Sequence, residues 1–231
     1  MQVYEATPEQ HPRGAVLVVH DGFGIGPSIR AMCDILAGEG WHVACPQMFH
    51  RTGHLTVEKT SDLGILGEVL ERDEHVLADI DTTLAHLASR GLTPDKISVI
   101  GFCWGGRGAF LGALHRPFAS AVSLYGTGIV EPLLLPGVTY SAEQVALLDE
   151  VAGLQSPWLG IFAGDDVFVP VEHVERLRAR LDKESPVEHE LHLYEGQAHG
   201  FVHHGVGSLA DISGSAMAAW SRTVAFLAAH I

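Results

Sequence analysis

Short apolar runs alternate with longer amphipathic stretches along most of this chain. Each run spans only four to six residues, which is too short for a helix and predicts a buried strand. Such runs lie at Ala15–Val19, Val43–Pro46, Ile97–Gly101, Ser120–Leu124 and Trp158–Phe162, and a further strand is predicted at Glu188–Leu193. Apolar residues at helical spacing predict helices at Ser28–Gly40, within Val57–Ala88, from the turn after Gly101 to Leu114, at Val171–Leu181 and at Ser213–Ala229. Strands that alternate with helices indicate an α/β fold with a mainly parallel sheet and helices on both faces.

The alternation is interrupted between Gly128 and Gln155. This excursion has a helical pattern from Ala142 to Val151, and it also contains the helix-breaking residues Pro132, Pro136 and Gly137. Long insertions in compact domains are often functional. The excursion is therefore either a surface connection or a lid over a site, and both interpretations stay open. Because the 231 residues show no repeat and no linker, we predict a single domain over residues 1–231.

The charge balance argues against two classes of partner. The chain has 14 Lys and Arg residues against 28 Asp and Glu residues, which gives a net charge of −14. Nucleic acid and anionic membrane surfaces both require a basic face on the protein. We therefore expect a small-molecule partner and neither nucleic acid nor membrane, with a monomer and a homodimer equally open.

Cysteine usage and the N-terminal segment indicate the compartment. The three cysteines, Cys33, Cys45 and Cys103, include no C-x-x-C pair, so neither a disulfide framework nor a thiolate zinc site is expected. Free thiols persist in reducing compartments. Residues Met1–Pro8 lack the basic start and apolar segment of a signal peptide, and no apolar run approaches the roughly 18 residues of a membrane span. We predict a cytoplasmic protein.

The strongest local signal is the segment Gly101-Phe102-Cys103-Trp104-Gly105, which has the form G-x-nucleophile-x-G. It follows an apolar strand and opens a predicted helix, as the nucleophile elbow of an α/β-hydrolase does. The helix N-terminus brings N–H groups and a positive dipole end to Cys103, which favours a thiolate and can hold an oxyanion. We therefore predict an α/β-hydrolase fold with Cys103 as the nucleophile.

The acid and the base are expected after later strands, in the chain order nucleophile, acid, base. His199 lies in the loop directly after the last predicted strand and is the candidate base. The preceding strand is followed by two candidate acids, Asp165 and Asp166. A buried carboxylate would fix the imidazole tautomer and stabilise the imidazolium, while the other aspartate would serve as a turn former. Spacing alone does not choose between them.

A second constellation, His20-Asp21-Gly22-Phe23-Gly24, follows the strand at Ala15–Val19. In this fold a second oxyanion donor comes from such an early strand-to-helix loop, and the N–H group of Gly22 is the candidate. Asp21 would then lie near the thiol, where a carboxylate either raises the thiol pKa or takes its proton. The alternative is a plain polar turn of the kind that Asp and Gly favour.

Taken together, these residues resemble the dienelactone hydrolase family from Ala15 to the closing helix. The resemblance is specific at His20–Gly24, at Gly101–Gly106, at Gly164–Pro170 and at Ala198–Phe201. It implies a triad of Cys103, His199 and Asp166, because the family's D-x-x-V-P pattern falls on Asp166. It also implies oxyanion donors at Gly22 and Trp104, with Asp21 as an acid that modulates the thiol.

The resemblance further implies a pocket and an activity. Tyr125 matches an aromatic residue of the family's pocket, and we expect Phe23, Phe201 and His203 to line it as well. The implied activity is hydrolysis of a carboxylic ester or lactone through a thioester acyl-enzyme, with no cofactor and no metal.

The pocket departs from the family at the residues that recognise charge. Family members that act on dienelactone hold its carboxylate with arginines, one of which follows the catalytic histidine, where this chain has His203. We therefore predict no strong preference for a lactone with a free carboxylate. An arginine distant in sequence could still fold into the pocket, the candidates being Arg51, Arg72 and Arg107.

Two alternatives belong to other classes of protein. One is an α/β-hydrolase relative that binds a ligand or partner without catalysis, because fold does not guarantee function. The other is a metal site at His50 with His54, or at His199 with His203. Such ligand pairs are usually presented on a helix, and the segment between His50 and His54 is unsuited to a helical turn, so we expect no metal.

Overall fold

The computed structural model describes residues 1–53, 56–57, 66–67, 70, 72–135, 138–140 and 144–231. Some of the sequence predictions lie wholly or partly outside these ranges. They concern His54, Pro136, Gly137, the beginning of the Ala142–Val151 pattern and much of the first half of Val57–Ala88.

The described residues form one seven-stranded sheet. Its strands are β1 (Val3–Ala6), β2 (Ala15–Val19), β3 (His42–Pro46), β4 (Ile97–Phe102), β5 (Ala121–Leu124), β6 (Trp158–Ala163) and β7 (His189–Tyr194). They lie in the order β1-β3-β2-β4-β5-β6-β7, with β1 antiparallel to β3 and the other pairs parallel. Each predicted strand is confirmed to within one residue at each end. The edge strand β1 is absent from the sequence prediction because its four half-buried residues form no apolar run.

Helices cover both faces of the sheet, namely α1 (Pro27–Gly38), α2 (Asp73–Ser89), α3 (Trp104–His115), α4 (Val171–Glu184) and α5 (Gly214–Ala229). Alternate residues of β2 enter two separate apolar clusters: Ala15, Leu17 and Val19 pack with α2, α3 and α4, whereas Val16 and Val18 pack with α1 and α5. A strand buried on both faces is typical of a parallel α/β sheet, so the predicted fold class is confirmed. No helix in the described part of the chain is long and apolar enough to cross a membrane.

The excursion between β5 and β6 differs from its prediction. The helical pattern at Ala142–Val151 forms no α-helix in the described residues, and Leu148–Gly153 is a 3₁₀ segment instead. The Leu147 N–H group donates a hydrogen bond to the distant carbonyl of Ile129 (2.8 Å), and Leu147 is buried in the core. Tertiary contacts therefore override the local helical pattern.

Candidate active site

The turn between β4 and α3 holds Cys103 in a strained backbone conformation, with φ 57° and ψ −121°. A Cβ atom on Gly101 would lie 1.8 Å from the carbonyl oxygen of Gly105. A Cβ atom on Gly105 would lie 2.2 Å from the carbonyl oxygen of Val19, at the end of β2. Both contacts are with backbone that cannot yield, so glycine is required on each side of Cys103. Strain of this kind concentrates at functional sites.

The loops after β6 and β7 bring an aspartate and a histidine together. His199 Nδ1 donates a hydrogen bond to Asp166 Oδ2 (2.7 Å). The other oxygen of Asp166 accepts hydrogen bonds from the N–H groups of Phe168 (2.8 Å) and Val169 (3.1 Å). Asp166 is buried, whereas Asp165 is exposed to solvent. The structure therefore pairs His199 with Asp166 and not with Asp165.

The second nitrogen of His199 lies beside the thiol. Nε2 is shielded from solvent and has no hydrogen-bond partner with normal geometry among the described residues. Burial disfavours the imidazolium, but the charge of Cys103 and the hydrogen bond to Asp166 outweigh it and raise the pKa of His199 to about 10. An imidazole poised between a carboxylate and a sulfur in this way is held in its protonated form.

Two backbone N–H groups belong to residues that line a cavity together with Cys103. Trp104 is the first residue of α3, where a helix leaves its N–H groups without intrahelical acceptors. Gly22 follows β2, whose end packs directly against the start of α3 through Gly105. Gly22, Cys103 and Trp104 all line the same cavity. The N–H groups of Gly22 and Trp104 are thus placed where they could hold an oxyanion.

The cavity has a volume of about 210 Å³ and is mostly apolar. Its apolar wall is formed by the side chains of Phe23, Leu66, Leu70, Leu133, Leu135 and Phe168. Its polar side chains include those of Cys103, Thr127, His199 and His204. Neither lysine nor arginine occurs among the lining residues that the structure describes. A cavity of this composition suits a neutral ligand better than an anion.

A second aspartate–histidine pair lies in the buried layer behind His199. His203 Nε2 donates to Asp21 Oδ2 (3.0 Å), and the Tyr125 hydroxyl group donates to His203 Nδ1 (2.5 Å). Asp21 Oδ1 accepts a hydrogen bond from the Phe23 N–H group (2.8 Å). Burial raises the pKa of the Asp21 carboxyl, but the hydrogen bond from His203 outweighs it, so that the pKa is lowered. Burial likewise raises the pKa of the Tyr125 hydroxyl group.

This second pair corrects part of the predicted pocket. Phe23 lines the cavity, as predicted. Tyr125 and His203 are fully buried and lie behind the wall, because their polar atoms bond to each other and to Asp21. Phe201 packs its ring against Tyr125 (6.0 Å between centroids) and lies outside the wall. The carboxylate of Asp21 accepts hydrogen bonds from His203 and from the Phe23 N–H group, and its influence on the thiol stays a prediction.

The three candidate arginines are engaged elsewhere. Arg51 makes two hydrogen bonds to Asp79. Arg107 is buried and contacts Asp73 together with the carbonyl groups of Gly128 (3.1 Å) and Val145 (2.7 Å). The side chain of Arg72 is 58% exposed. None of the three lines the cavity.

The residues most able to hold a metal are Asp21, His203 and His204, whose ligand atoms lie within 4.8 Å of one another. The two buried members form a hydrogen bond with each other (3.0 Å). Of the histidine pairs considered from the sequence, His50 contacts Asp79 (3.3 Å) and His54 lies outside the described residues.

Several residues that line the cavity are not predicted from the sequence. Leu133 and Leu135 belong to the excursion, and only its length pointed to them. Thr127 comes three residues after the end of β5. The carboxyl ends of parallel strands are where ligands bind, and that rule would have singled out Thr127.

The parallel sheet, the strained turn at Cys103 and the adjoining His199–Asp166 pair define the class of the protein as an α/β-hydrolase. A model of the dienelactone hydrolase family matches residues 1–231. A Yersinia pestis protein provisionally named carboxymethylenebutenolidase is 34% identical over 212 residues, covering 87% of this chain and 74% of that protein. This chain therefore belongs to the dienelactone hydrolase family and is an ester or lactone hydrolase.

Two further similarities agree with this placement. The human protein named carboxymethylenebutenolidase homolog is 30% identical over 193 residues, which cover 82% of this chain and 71% of that protein. The crystal structure of a provisionally named dienelactone hydrolase from Klebsiella pneumoniae subsp. pneumoniae superposes with a TM-score of 0.80 and 28% identity. That superposition covers 98% of this chain and 92% of the Klebsiella chain.

Proposed function

We propose that this protein hydrolyses a neutral carboxylic ester or lactone through a thioester on Cys103. The observation that carries the proposal is the position of His199. One of its nitrogens bonds to the buried carboxylate of Asp166 (2.7 Å), and the other is unsatisfied beside the thiol. This is the arrangement of nucleophile, base and orienting acid that acyl transfer requires.

The first half of the reaction forms the acyl-enzyme. The Cys103 thiolate attacks the ester carbonyl carbon, a C–S bond forms, and the carbonyl electrons move to oxygen. The N–H groups of Gly22 and Trp104 hold this oxyanion. As the carbon–oxygen bond to the leaving group breaks, His199 Nε2 gives its proton to the departing alkoxide.

The second half of the reaction releases the acid. His199, now neutral, takes a proton from a water molecule, and the resulting hydroxide attacks the thioester carbonyl. The same two N–H groups hold the second oxyanion. The C–S bond then breaks and returns the thiolate beside an imidazolium that Asp166 stabilises through the 2.7 Å hydrogen bond.

We also propose that residues 1–231 act as one domain whose excursion covers the cavity. Leu133 and Leu135 supply part of the apolar wall. The buried guanidinium of Arg107 anchors the excursion, because it bonds to the carbonyl group of Gly128 at its start (3.1 Å) and to the carbonyl group of Val145 within it (2.7 Å). An apolar cover lowers the local dielectric and strengthens the oxyanion contacts beneath it.

The proposal is tested with a Cys103→Ala variant and a matched Cys33→Ala control, which removes a buried thiol in α1. Turnover of a short-chain chromogenic ester should fall by about 10⁴-fold or more in Cys103→Ala and should persist in Cys33→Ala. Rapid quenching and mass spectrometry of the wild type should show an acyl adduct on Cys103. Activity retained by Cys103→Ala above about a tenth of wild type would refute the assignment.

A further inference from the structure

The side chain of Thr127 has an unmet hydrogen bond, and Thr127 lines the cavity beside the thiol. Thr127 is 1% exposed, and its Oγ1 atom has no hydrogen-bond partner among the described residues. Buried polar groups in folded proteins nearly always have a partner, and each exception calls for a physical reason. Burial of this hydroxyl group without a partner opposes folding and therefore points to a ligand.

The position of Thr127 indicates that this ligand is a substrate bound at Cys103. Its N–H group donates a hydrogen bond to the carbonyl of Cys103 (3.3 Å), so the two residues are neighbours, and both line the cavity. Rotation about the Cα–Cβ bond exchanges the positions of the hydroxyl and methyl groups. The hydroxyl group can therefore face a substrate whose carbonyl carbon is at the sulfur.

The hydroxyl group of Thr127 differs from the other polar groups that line the cavity. Thr127 is the only hydroxyl-bearing residue among the lining residues that the structure describes. Cys103 and His199 are taken up by the proposed chemistry. Thr127 follows β5, on the opposite side of β4 from β2 and Gly22, so its hydroxyl group is separate from the Gly22 oxyanion donor.

We propose that Thr127 Oγ1 binds a second, uncharged oxygen of the substrate, within a few bonds of the scissile carbonyl. This inference rests on the proposed hydrolase function and narrows its substrate class to oxygen-bearing esters or lactones, such as alkoxy or keto esters. Thr127 is a specificity-determining residue. A site built to hydrogen-bond a substrate oxygen discriminates strongly against an analogue that lacks it, because the protein group is then left unpaired.

The test compares isosteric substrates in isosteric proteins. Thr127→Val replaces the hydroxyl group by a methyl group, and Thr127→Ser retains it. One substrate pair, 4-nitrophenyl methoxyacetate and 4-nitrophenyl butyrate, exchanges oxygen for methylene in the acyl part. The other pair, 2-methoxyethyl acetate and butyl acetate, makes the same exchange in the alcohol part. Because the effect of the variant is compared within each pair, intrinsic differences in ester reactivity cancel.

Thr127→Val should lower kcat/KM for the oxygen-bearing member of at least one pair by about tenfold more than for its alkyl partner. Thr127→Ser should show less than half of that loss on a logarithmic scale. The melting temperature of free Thr127→Val should not fall, because no hydrogen bond is lost in the unbound protein. A fall would indicate a structural partner for Oγ1 and would overturn the inference.

Equal effects of Thr127→Val within both pairs would also overturn it, whether kcat/KM is unchanged or uniformly reduced. These outcomes are distinct from failure of the proposed function. If the hydrolase proposal is wrong, Cys103→Ala retains its turnover of the same four esters. If only the present inference is wrong, Cys103→Ala is inactive while Thr127→Val treats oxygen and methylene alike.

Discussion

Two aspartate–histidine pairs lie side by side at the carboxyl edge of the sheet, and they differ in how their hydrogen bonds end. In the pair Asp166–His199, the second imidazole nitrogen is unsatisfied and faces the thiol. In the pair Asp21–His203, the second nitrogen is bonded to the hydroxyl group of Tyr125. Both carboxylates are buried and both accept backbone N–H groups. The two pairs contain the same types of residue, so the unbonded imidazole nitrogen of His199 is what makes the first pair the candidate for catalysis.

We call Asp166–His199 the open pair and Asp21–His203 the closed pair. The closed pair has a structural consequence instead. It joins the loop after β2, which carries Gly22, to the loop after β7, which carries His199, and to Tyr125 at the end of β5. Tyr125 has a positive φ of 41°, a conformation that a bulky residue adopts only when its surroundings enforce it. The closed pair thus joins the loop that carries Gly22 to the loop that carries His199.

The largest expected effect separates the two candidate acids of the open pair. Asp166→Asn keeps the shape of the side chain but leaves the imidazole in the wrong tautomer, so kcat should fall by about 10⁴-fold. Asp165→Asn alters an exposed side chain and should leave kcat within about threefold of wild type. Steady-state kinetics of both variants decide the matter. A larger loss of kcat in Asp165→Asn would show that Asp166 is wrongly assigned as the acid.

The second prediction uses the closed pair to argue about substrate charge. His203 stands where the family has an arginine, but its two nitrogens are committed to Asp21 and Tyr125, so it is not available to a carboxylate. A substrate carboxylate would lose its hydration without a cationic partner, which costs a few kcal/mol. We expect the methyl ester of a dienelactone to have at least a tenfold higher kcat/KM than the free acid.

Competition kinetics with that pair of substrates provide the measurement. A preference for the acid of about a hundredfold or more, equivalent to about 2.7 kcal/mol, would contradict the prediction. It would require a cation that reaches the cavity from outside its described lining.

The third prediction perturbs the closed pair directly. Asp21→Asn presents an amide N–H group where the chain has a carboxylate oxygen, and it should lower the free energy of unfolding by about 1–3 kcal/mol. Because Asp21 is assigned no chemical step, kcat should fall by less than about tenfold. Urea denaturation and ester kinetics measure the two effects, with Asp165→Asn as the exposed control. Loss of activity comparable to Asp166→Asn at unchanged stability would show that the closed pair takes part in catalysis.

The open pair is visible in the sequence and the closed pair is not, for a physical reason. Cys103, Asp166 and His199 follow strands in a fixed chain order, and parallel strands bring their ends to one edge. The bond between Asp21 and His203 joins residues 182 positions apart, and the bond between Tyr125 and His203 spans 78 positions. Such pairings depend on loop paths that no local pattern records. Tyr125 and His203 were consequently assigned to the pocket wall.

The same limit applies to the choice of acid and to the cavity wall. Spacing left Asp165 and Asp166 equivalent, and the turn decides between them because the N–H groups of Phe168 and Val169 capture Asp166. Leu133 and Leu135 line the cavity, and the excursion that carries them is bonded through Gly128 to Arg107, 21 residues earlier in the chain. The strands, and the order of the candidate site residues after them, can be predicted from local patterns in the sequence. The residues that line the cavity depend on long-range contacts and cannot.

The last expected effect is a pH dependence of stability that belongs to the open pair. The pKa of His199 is raised to about 10 in the folded protein, against about 6.5 in an unfolded chain. Burial opposes this shift, and the charge of Cys103 and the Asp166 hydrogen bond produce it. A group whose folded pKa is raised contributes stability that is complete below its unfolded pKa and is lost as the pH rises through its folded pKa. Because a thiolate–imidazolium pair holds one proton, as the same two groups of the unfolded chain do between about pH 6.5 and about pH 8.5, the free energy of unfolding of wild type relative to Cys103→Ala should decline only above about pH 8.5, as the pH rises to about 10. The same difference measured against the exposed variant Asp165→Asn should stay constant, and a wild-type advantage over Cys103→Ala that is flat or grows between about pH 8.5 and about pH 10 would show that the imidazolium of His199 is not stabilised by the thiolate.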